Sequence, residues 1–190
     1  LPAPWRRAVL LSLAFAEDFA IIDAGDTTIP WLAVALPSHW APEHKVGRPF
    51  APLADDRPIT GAASHLPNLV TGSQGWERFV WSIARHPRLH AHPDRVDPAP
   101  WPAHLDGDAL AAQAWWRSER QSLIPVDAHR QALFTIHVEV QPLARALSDP
   151  AQAAWVHDAL ASMSPAALEV RGLAPVRDRL LRWLAARAAP

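Results

Sequence analysis

The chain has 190 residues, 49% hydrophobic and 19% charged, with a formal net charge of −1. That size and balance fit one soluble globular domain, residues 1–190, and the near-zero charge gives no electrostatic basis for binding nucleic acid or an anionic membrane. Cysteine is absent, which excludes disulfides, iron–sulfur clusters and thiolate catalysis in this chain.

Tyrosine is also absent, Met163 is the sole methionine, and Lys45 is the sole lysine among many arginines. The arginine, alanine and proline bias suggests a GC-rich bacterial genome. Pro4 to about Ala16 reads as a first helix with proline near its start. Its Arg6-Arg7 pair and the apolar run to Ala16 also have the outline of a secretory leader. No apolar run reaches the roughly 18–20 residues that a bilayer span needs, and a cytoplasmic location is expected.

Phe19–Asp23 and Trp31–Leu36 read as strands joined through the turn-rich Ala24–Thr28. A proline-rich irregular loop with one helical turn follows over 37–58, and then a helix over about 59–71, kinked at Pro67. Glu77–Ile83 alternates, with Phe79, Trp81 and Ile83 on one face. Asp106 or Asp108 is expected to cap a helix reaching about Trp116. Residues 117–126 and 131–141 form a hairpin whose second strand turns Phe134, Ile136, Val138 and Val140 one way and Thr135, His137 and Glu139 the other. Ser164-Pro165 starts one C-terminal helix. Pro175 starts another, with Val176, Leu180, Leu181 and Leu184 on its apolar side. The fold class is therefore α+β: an antiparallel sheet packed with helices, with a core over about 15–145 and C-terminal helices over 150–188.

Three segments carry candidate chemistry. Arg117-Ser-Glu-Arg-Gln121 places charges at the entrance to an apolar strand. Burying such charges is costly unless each has a partner, so the segment is either a structural ion-pair set or the wall of a ligand site. Leu36-Pro-Ser-His-Trp-Ala-Pro-Glu-His-Lys-Val-Gly-Arg48 is a proline-braced loop with clustered polar groups. It suits a ligand surface, or equally a solvated loop pinned by Trp40. His86-Pro-Arg-Leu-His-Ala-His92 has chelator-like spacing, but Arg88 within it and Arg85 and Arg95 beside it oppose a cation, and a surface loop is the simpler account. His137 shares a strand face with Thr135 and Glu139, which is either a pocket lining or the solvent side of a sheet. No glycine-rich phosphate loop follows a strand, and no Gly-x-Ser-x-Gly elbow is present.

Taken in order, Glu17-Asp18, the Pro37–Arg48 segment, Arg117-Ser-Glu-Arg-Gln121, Phe134-Thr-Ile136 and Pro142-Leu143 resemble the haem-dependent oxidative N-demethylase alpha-subunit-like family. The resemblance covers about residues 15–145. It implies a PAS-like fold whose sheet and flanking helices hold haem b. It also implies oxygen-dependent demethylation of a small secondary amine with formaldehyde release, a monooxygenase-type oxidoreductase chemistry fed by a flavin/iron–sulfur reductase partner. On that reading Arg117 or Arg120 faces haem propionates, which suit a guanidinium fork. Glu119 holds a cationic amine or relays protons to oxygen. Lys45 and Arg48 lie on the cofactor side.

The family usually carries an Ile-His-x-Pro-Val segment after its Lys-x-Gly motif, and that histidine is the expected iron ligand. Here Phe50–Pro58 contains no histidine and reads several residues short. With no cysteine or tyrosine, an iron ligand must be another histidine: His65 first, then His44, then His137, with Met163 a poor substitute. Ile136-His-Val-Glu139 also departs from the family's Ile-Arg-Thr-Tyr. A non-catalytic PAS-like haem or small-molecule sensor and a haem-free structural subunit are the alternative readings.

Overall fold

A computed structural model describes residues 2–25, 28–48, 72, 74–96, 100–126 and 130–189. Its elements are α1 (Ala3–Ala14), β1 (Glu17–Asp23), β2 (Trp31–Ala33), a 3-10 turn at Pro42–His44, β3 (Trp76–Ala84), a 3-10 turn at Pro93–Arg95 and α2 (Gly107–Ala112). They continue with β4 (Trp115–Val126), β5 (Gln131–Pro142), α3 (Leu143–Ala146), α4 (Pro150–Ser162), α5 (Pro165–Val170), a 3-10 turn at Ala174–Val176 and α6 (Arg177–Ala188). The strands make one five-stranded antiparallel sheet in the order β2-β1-β5-β4-β3, so the fold is α+β with a helical C-terminal part. No helix among the described residues is long and apolar enough to cross a membrane. The expected helix over 59–71 lies outside the described residues.

The chain divides into two compact units. The first comprises Leu1–Val80, Leu89–Asp97 and Ser118–Glu139. The second comprises Trp81–Arg88, Pro98–Arg117 and Val140–Pro190.

In the first unit β1 pairs antiparallel with β5, from Glu17 opposite His137 to Asp23 opposite Gln131, and with β2 on its other edge. Strand parity sorts the side chains. Asp18, Ala20 and Ile22 on β1 and Ala132, Phe134, Ile136 and Val138 on β5 are buried. Glu17, Thr135 and His137 share the opposite face. Asp18 is the polar exception in the buried set, at 3% exposure. Its carboxylate accepts from Ala35 N (2.6 Å) and Leu36 N (3.0 Å), tying down the chain that leaves β2.

The second unit is built on Ile83, Leu110, Leu143, Leu160, Leu173, Leu180, Trp183 and Leu184, all buried. Asp106 caps α2 by accepting from Ala109 N (2.8 Å), and Ser164 caps α5 by accepting from Ala167 N (3.2 Å). Arginines close the helical part by donating to orphan carbonyls. Arg179 reaches Pro102 O (2.6 Å) and Leu105 O (2.7 Å), and Arg187 reaches Leu147 O (2.7 Å) and Ala144 O (2.8 Å).

Two expectations need correction. The helix capped at Asp106 ends at Ala112 instead of running to Trp116, because the chain turns at Gln113-Ala114 and enters β4 at Trp115. There Ala114 O accepts from Leu143 N (3.0 Å), and Trp116 stacks on Trp81 with ring centroids 5.0 Å apart. The second strand is also shorter than expected, stopping at Ala33, where the Asp18 carboxylate claims the next amides. On β3, Phe79 is 69% exposed whereas Ile83, on the same side of the strand, is 5% exposed and belongs to the helical core.

Leu160 and Trp155 lie on the same helix at 0% and 72% exposure. Leu160→Ala should lower stability by about 2–5 kcal/mol, while Trp155→Ala should stay within about 0.5 kcal/mol. Urea midpoints at unchanged slope check this, and equal losses at both positions would contradict the burial described.

Candidate functional site

The Arg117–Gln121 segment is the first half of β4, and its alternation assigns each side chain a face. Arg117 (1% exposed) and Gln121 (7%) point to the buried side together with the half-buried Glu119. Arg120 points the other way and is exposed.

In the first unit Gln121 is a two-sided bridge. Arg78 Nε donates to Gln121 Oε1 at 2.7 Å, and Gln121 Nε2 donates to Glu119 Oε2 at 2.6 Å. The amide must present oxygen to the cation and nitrogen to the carboxylate, so its orientation is fixed by charge. Arg78 also lies 5.6 Å from the Trp76 ring centroid. One carboxylate oxygen of Glu119 is thereby anchored. Among the described residues no donor takes the other, Oε1. A carboxylate held at one oxygen and open at the other can bind an ammonium group or take up a proton. Sequence reasoning picked out Glu119 and Gln121 but missed Arg78. The available signal was a charged residue on β3 in phase with the buried side.

The opposite face of the same sheet is a surface charge network. Arg120 lies 3.7 Å from Glu17 and 3.8 Å from Glu77, and Ser122 Oγ donates to Glu77 at 3.4 Å. His137 Nδ1 is 3.8 Å from Glu17, and its Nε2 is 3.6 Å from Glu139. Arg120 therefore already has two carboxylate neighbours, and His137 stands among charged groups.

In the second unit Arg117 Nη1 donates to Arg88 O at 3.0 Å. His86 accepts from Arg88 N through Nδ1 at 3.3 Å, which leaves its proton on Nε2. Burial, followed by the charges of Arg117, Arg88 and Arg85, holds the His86 pKa below its ordinary value of 6.5. His86 is therefore neutral at pH 7.

The Pro37–Arg48 loop is strapped to its surroundings along its length. Ala91 N donates to Pro37 O (2.9 Å) and His39 N to Ala91 O (2.8 Å), forming a parallel bridge. Gly47 N donates to Ile29 O (2.8 Å) and Ile29 N to Arg48 O (3.1 Å). Gly47 has φ +72°, a conformation that favours glycine. The buried anchors are Pro37 and Ala41, whereas Trp40 is only half-buried. Lys45 is half-buried; His44 and Arg48 are exposed. His65 lies outside the described residues.

Glu43, His92 and Asp94 form the one group among the described residues with metal-like spacing. Asp94 N donates to His92 Nδ1 at 3.1 Å, so Nε2 carries the proton and donates to Glu43 at 3.1 Å. Both ring nitrogens are thus engaged, and the group acts as a clasp between two loop segments of the first unit. Glu43 is held below the usual carboxylate range by a backbone hydrogen bond and then by His92. His90 stacks near His92 at 6.3 Å between centroids.

Comparison with known proteins settles the family. The model of the haem-dependent oxidative N-demethylase, alpha subunit-like family matches residues 7–181. The chain belongs to this family. No curated protein matches it.

For a haem group the described residues fit in part. The buried guanidinium of Arg117 is the right chemistry for a propionate. His44 is exposed, and His137 is flanked by Glu17 and Glu139, so neither offers the apolar wall that a macrocycle needs.

A histidine whose folded pKa is depressed contributes stability that is present above its unfolded value and is lost as pH falls through about 6.5 toward the folded value. The thermal midpoint should therefore drop below about pH 6.5, and His86→Gln should flatten that part of the profile. An identical slope in the variant would assign the acid sensitivity elsewhere.

Proposed function

We propose that this chain binds haem b and carries out oxygen-dependent removal of a methyl group from a small secondary amine, releasing formaldehyde. A flavin/iron–sulfur reductase is the proposed electron donor. The family match over residues 7–181 carries this reading. The five-stranded antiparallel sheet, ordered β2-β1-β5-β4-β3, supports a PAS-like frame for it.

Haem, when bound, would supply oxygen activation at its iron. The protein's own part is positioning and charge. Arg117 is the propionate partner the geometry supports best, since Arg120 already stands against Glu17 and Glu77 and Arg48 is exposed. Lys45, half-buried on the strapped loop, is a second basic group for the cofactor side. Glu119 would hold the cationic amine through the oxygen that Gln121 leaves open, or pass a proton there. Arg78, acting through Gln121, sets the orientation of that carboxylate. His65 is the proposed iron ligand, ahead of His44 and His137.

The lack of histidine in Phe50–Pro58 favours a second reading, a sensor module without turnover or a haem-free subunit. One series of measurements separates the three. Reconstitution with haemin should give a Soret band that His65→Ala shifts or abolishes and that His44→Ala and His137→Ala preserve. With dimethylamine, oxygen and a reductant, formaldehyde should appear, and Glu119→Gln should slow its release by about 100-fold. Absence of a Soret band leaves the haem-free subunit; a Soret band without formaldehyde leaves the sensor.

A further inference from the structure

The second unit holds a cavity that the proposed function does not use. It has a volume of about 270 Å³ and is lined by Arg85, Trp101, Pro102, Leu110, Gln113 and Trp115. Its walls are pinned. The Trp101 indole N–H donates to Gly172 O at 2.9 Å, and Arg179 holds the carbonyls of Pro102 (2.6 Å) and Leu105 (2.7 Å). Leu110 is fully buried and contributes an apolar wall. The Trp101 ring is therefore already in place before any ligand arrives, which removes part of the ordering cost of binding.

Arg85 is the unusual member. It is half-buried, and its guanidinium carbon lies 5.8 Å from the Trp101 ring centroid. Among the described residues no carboxylate or carbonyl accepts from its N–H groups. A partly desolvated cation whose donors meet no acceptor among the described residues, beside two indoles and one amide, is a receptor for a complementary anion with a flat apolar body.

We propose that this cavity binds a small aromatic carboxylate. The carboxylate would sit on the Arg85 fork, the ring would pack against the Trp101 and Trp115 indoles, and the Gln113 amide would serve as a further hydrogen-bonding group. One guanidinium suits one carboxylate. The volume falls just below the roughly 300 Å³ at which ordinary ligand pockets begin, which suits a single ring better than a nucleotide or a macrocycle. The proposal is independent of haem binding and of demethylation.

Titration calorimetry with benzoate, benzyl alcohol and inorganic phosphate tests it on the full chain. Benzoate should bind saturably at one site. Arg85→Gln should weaken it about tenfold or more, as expected for loss of a charged hydrogen-bonding partner. Arg85→Lys should not restore it, because an ammonium lacks the fork. Benzyl alcohol and phosphate should each bind at least about tenfold more weakly, lacking the charge and the ring respectively. In the unaltered protein, benzoate should shift the Trp101 indole N–H resonance, a readout that survives even where a variant fails to fold. Four results would overturn the proposal: no saturable benzoate binding, benzoate affinity unchanged in a folded Arg85→Gln variant, phosphate binding as tight as benzoate, or a Trp101 resonance unmoved at saturation.

Discussion

The first unit depends on one buried carboxylate. Asp18 sits in the apolar phase of β1, where a charge costs several kcal/mol unless it is hydrogen-bonded. It meets that cost with the amides of Ala35 and Leu36, which would otherwise need partners as β2 ends. The consequence travels along the chain. Once those amides are fixed, Pro37 is placed against Ala91, and the segment bearing His44 and Lys45 becomes a defined surface with both ends tied. A loop held in this way can present Lys45 at a fixed place, which an untied proline-rich segment could not.

Strand β4 turns sequence parity into chemical separation. Its odd-numbered charged positions are buried or half-buried, and Arg120 is exposed against Glu17 and Glu77. Two arginines three residues apart thus do different work. Exposed ion pairs of this kind are worth little to stability, typically about 0–1 kcal/mol, so the Arg120 network shapes a surface more than it holds the fold. The Arg78–Gln121–Glu119 chain lies on the sheltered face, where hydrogen bonds between a neutral amide and charged groups are stronger and orientation is better defined. Any chemistry at β4 that needs a carboxylate in a fixed direction therefore falls to Glu119.

Much of this architecture was legible in the sequence because it rests on local rules. The alternation of Phe134, Ile136 and Val138, the cap at Ser164 and the cap at Asp106 need only neighbours within a few residues. What was not legible depends on partners far along the chain. The end of the helix at Ala112 is decided by Ala114 accepting from Leu143 and by the Trp116–Trp81 stack, contacts across 29 and 35 positions of sequence. Arg78 as the partner of Gln121 belongs to the same class, with 43 positions between them. The Arg117 segment stood out because its charges break an apolar strand, but its division between Arg88 on one side and Arg78 on the other is a tertiary fact.

The histidines sharpen the question of iron. An imidazole ligates through a neutral nitrogen lone pair, so a suitable histidine must be neutral, sheltered and not already spending that lone pair. His86 meets the first condition through burial and three arginine charges, yet its Nδ1 lone pair accepts from Arg88 N and its Nε2 carries the proton. His92 spends Nδ1 on Asp94 N and Nε2 on Glu43. His137 stands between Glu17 and Glu139 on the charged face of the sheet, with no apolar wall beside it. His44 is open to water. Each of these four is disfavoured as an iron ligand for a specific physical reason.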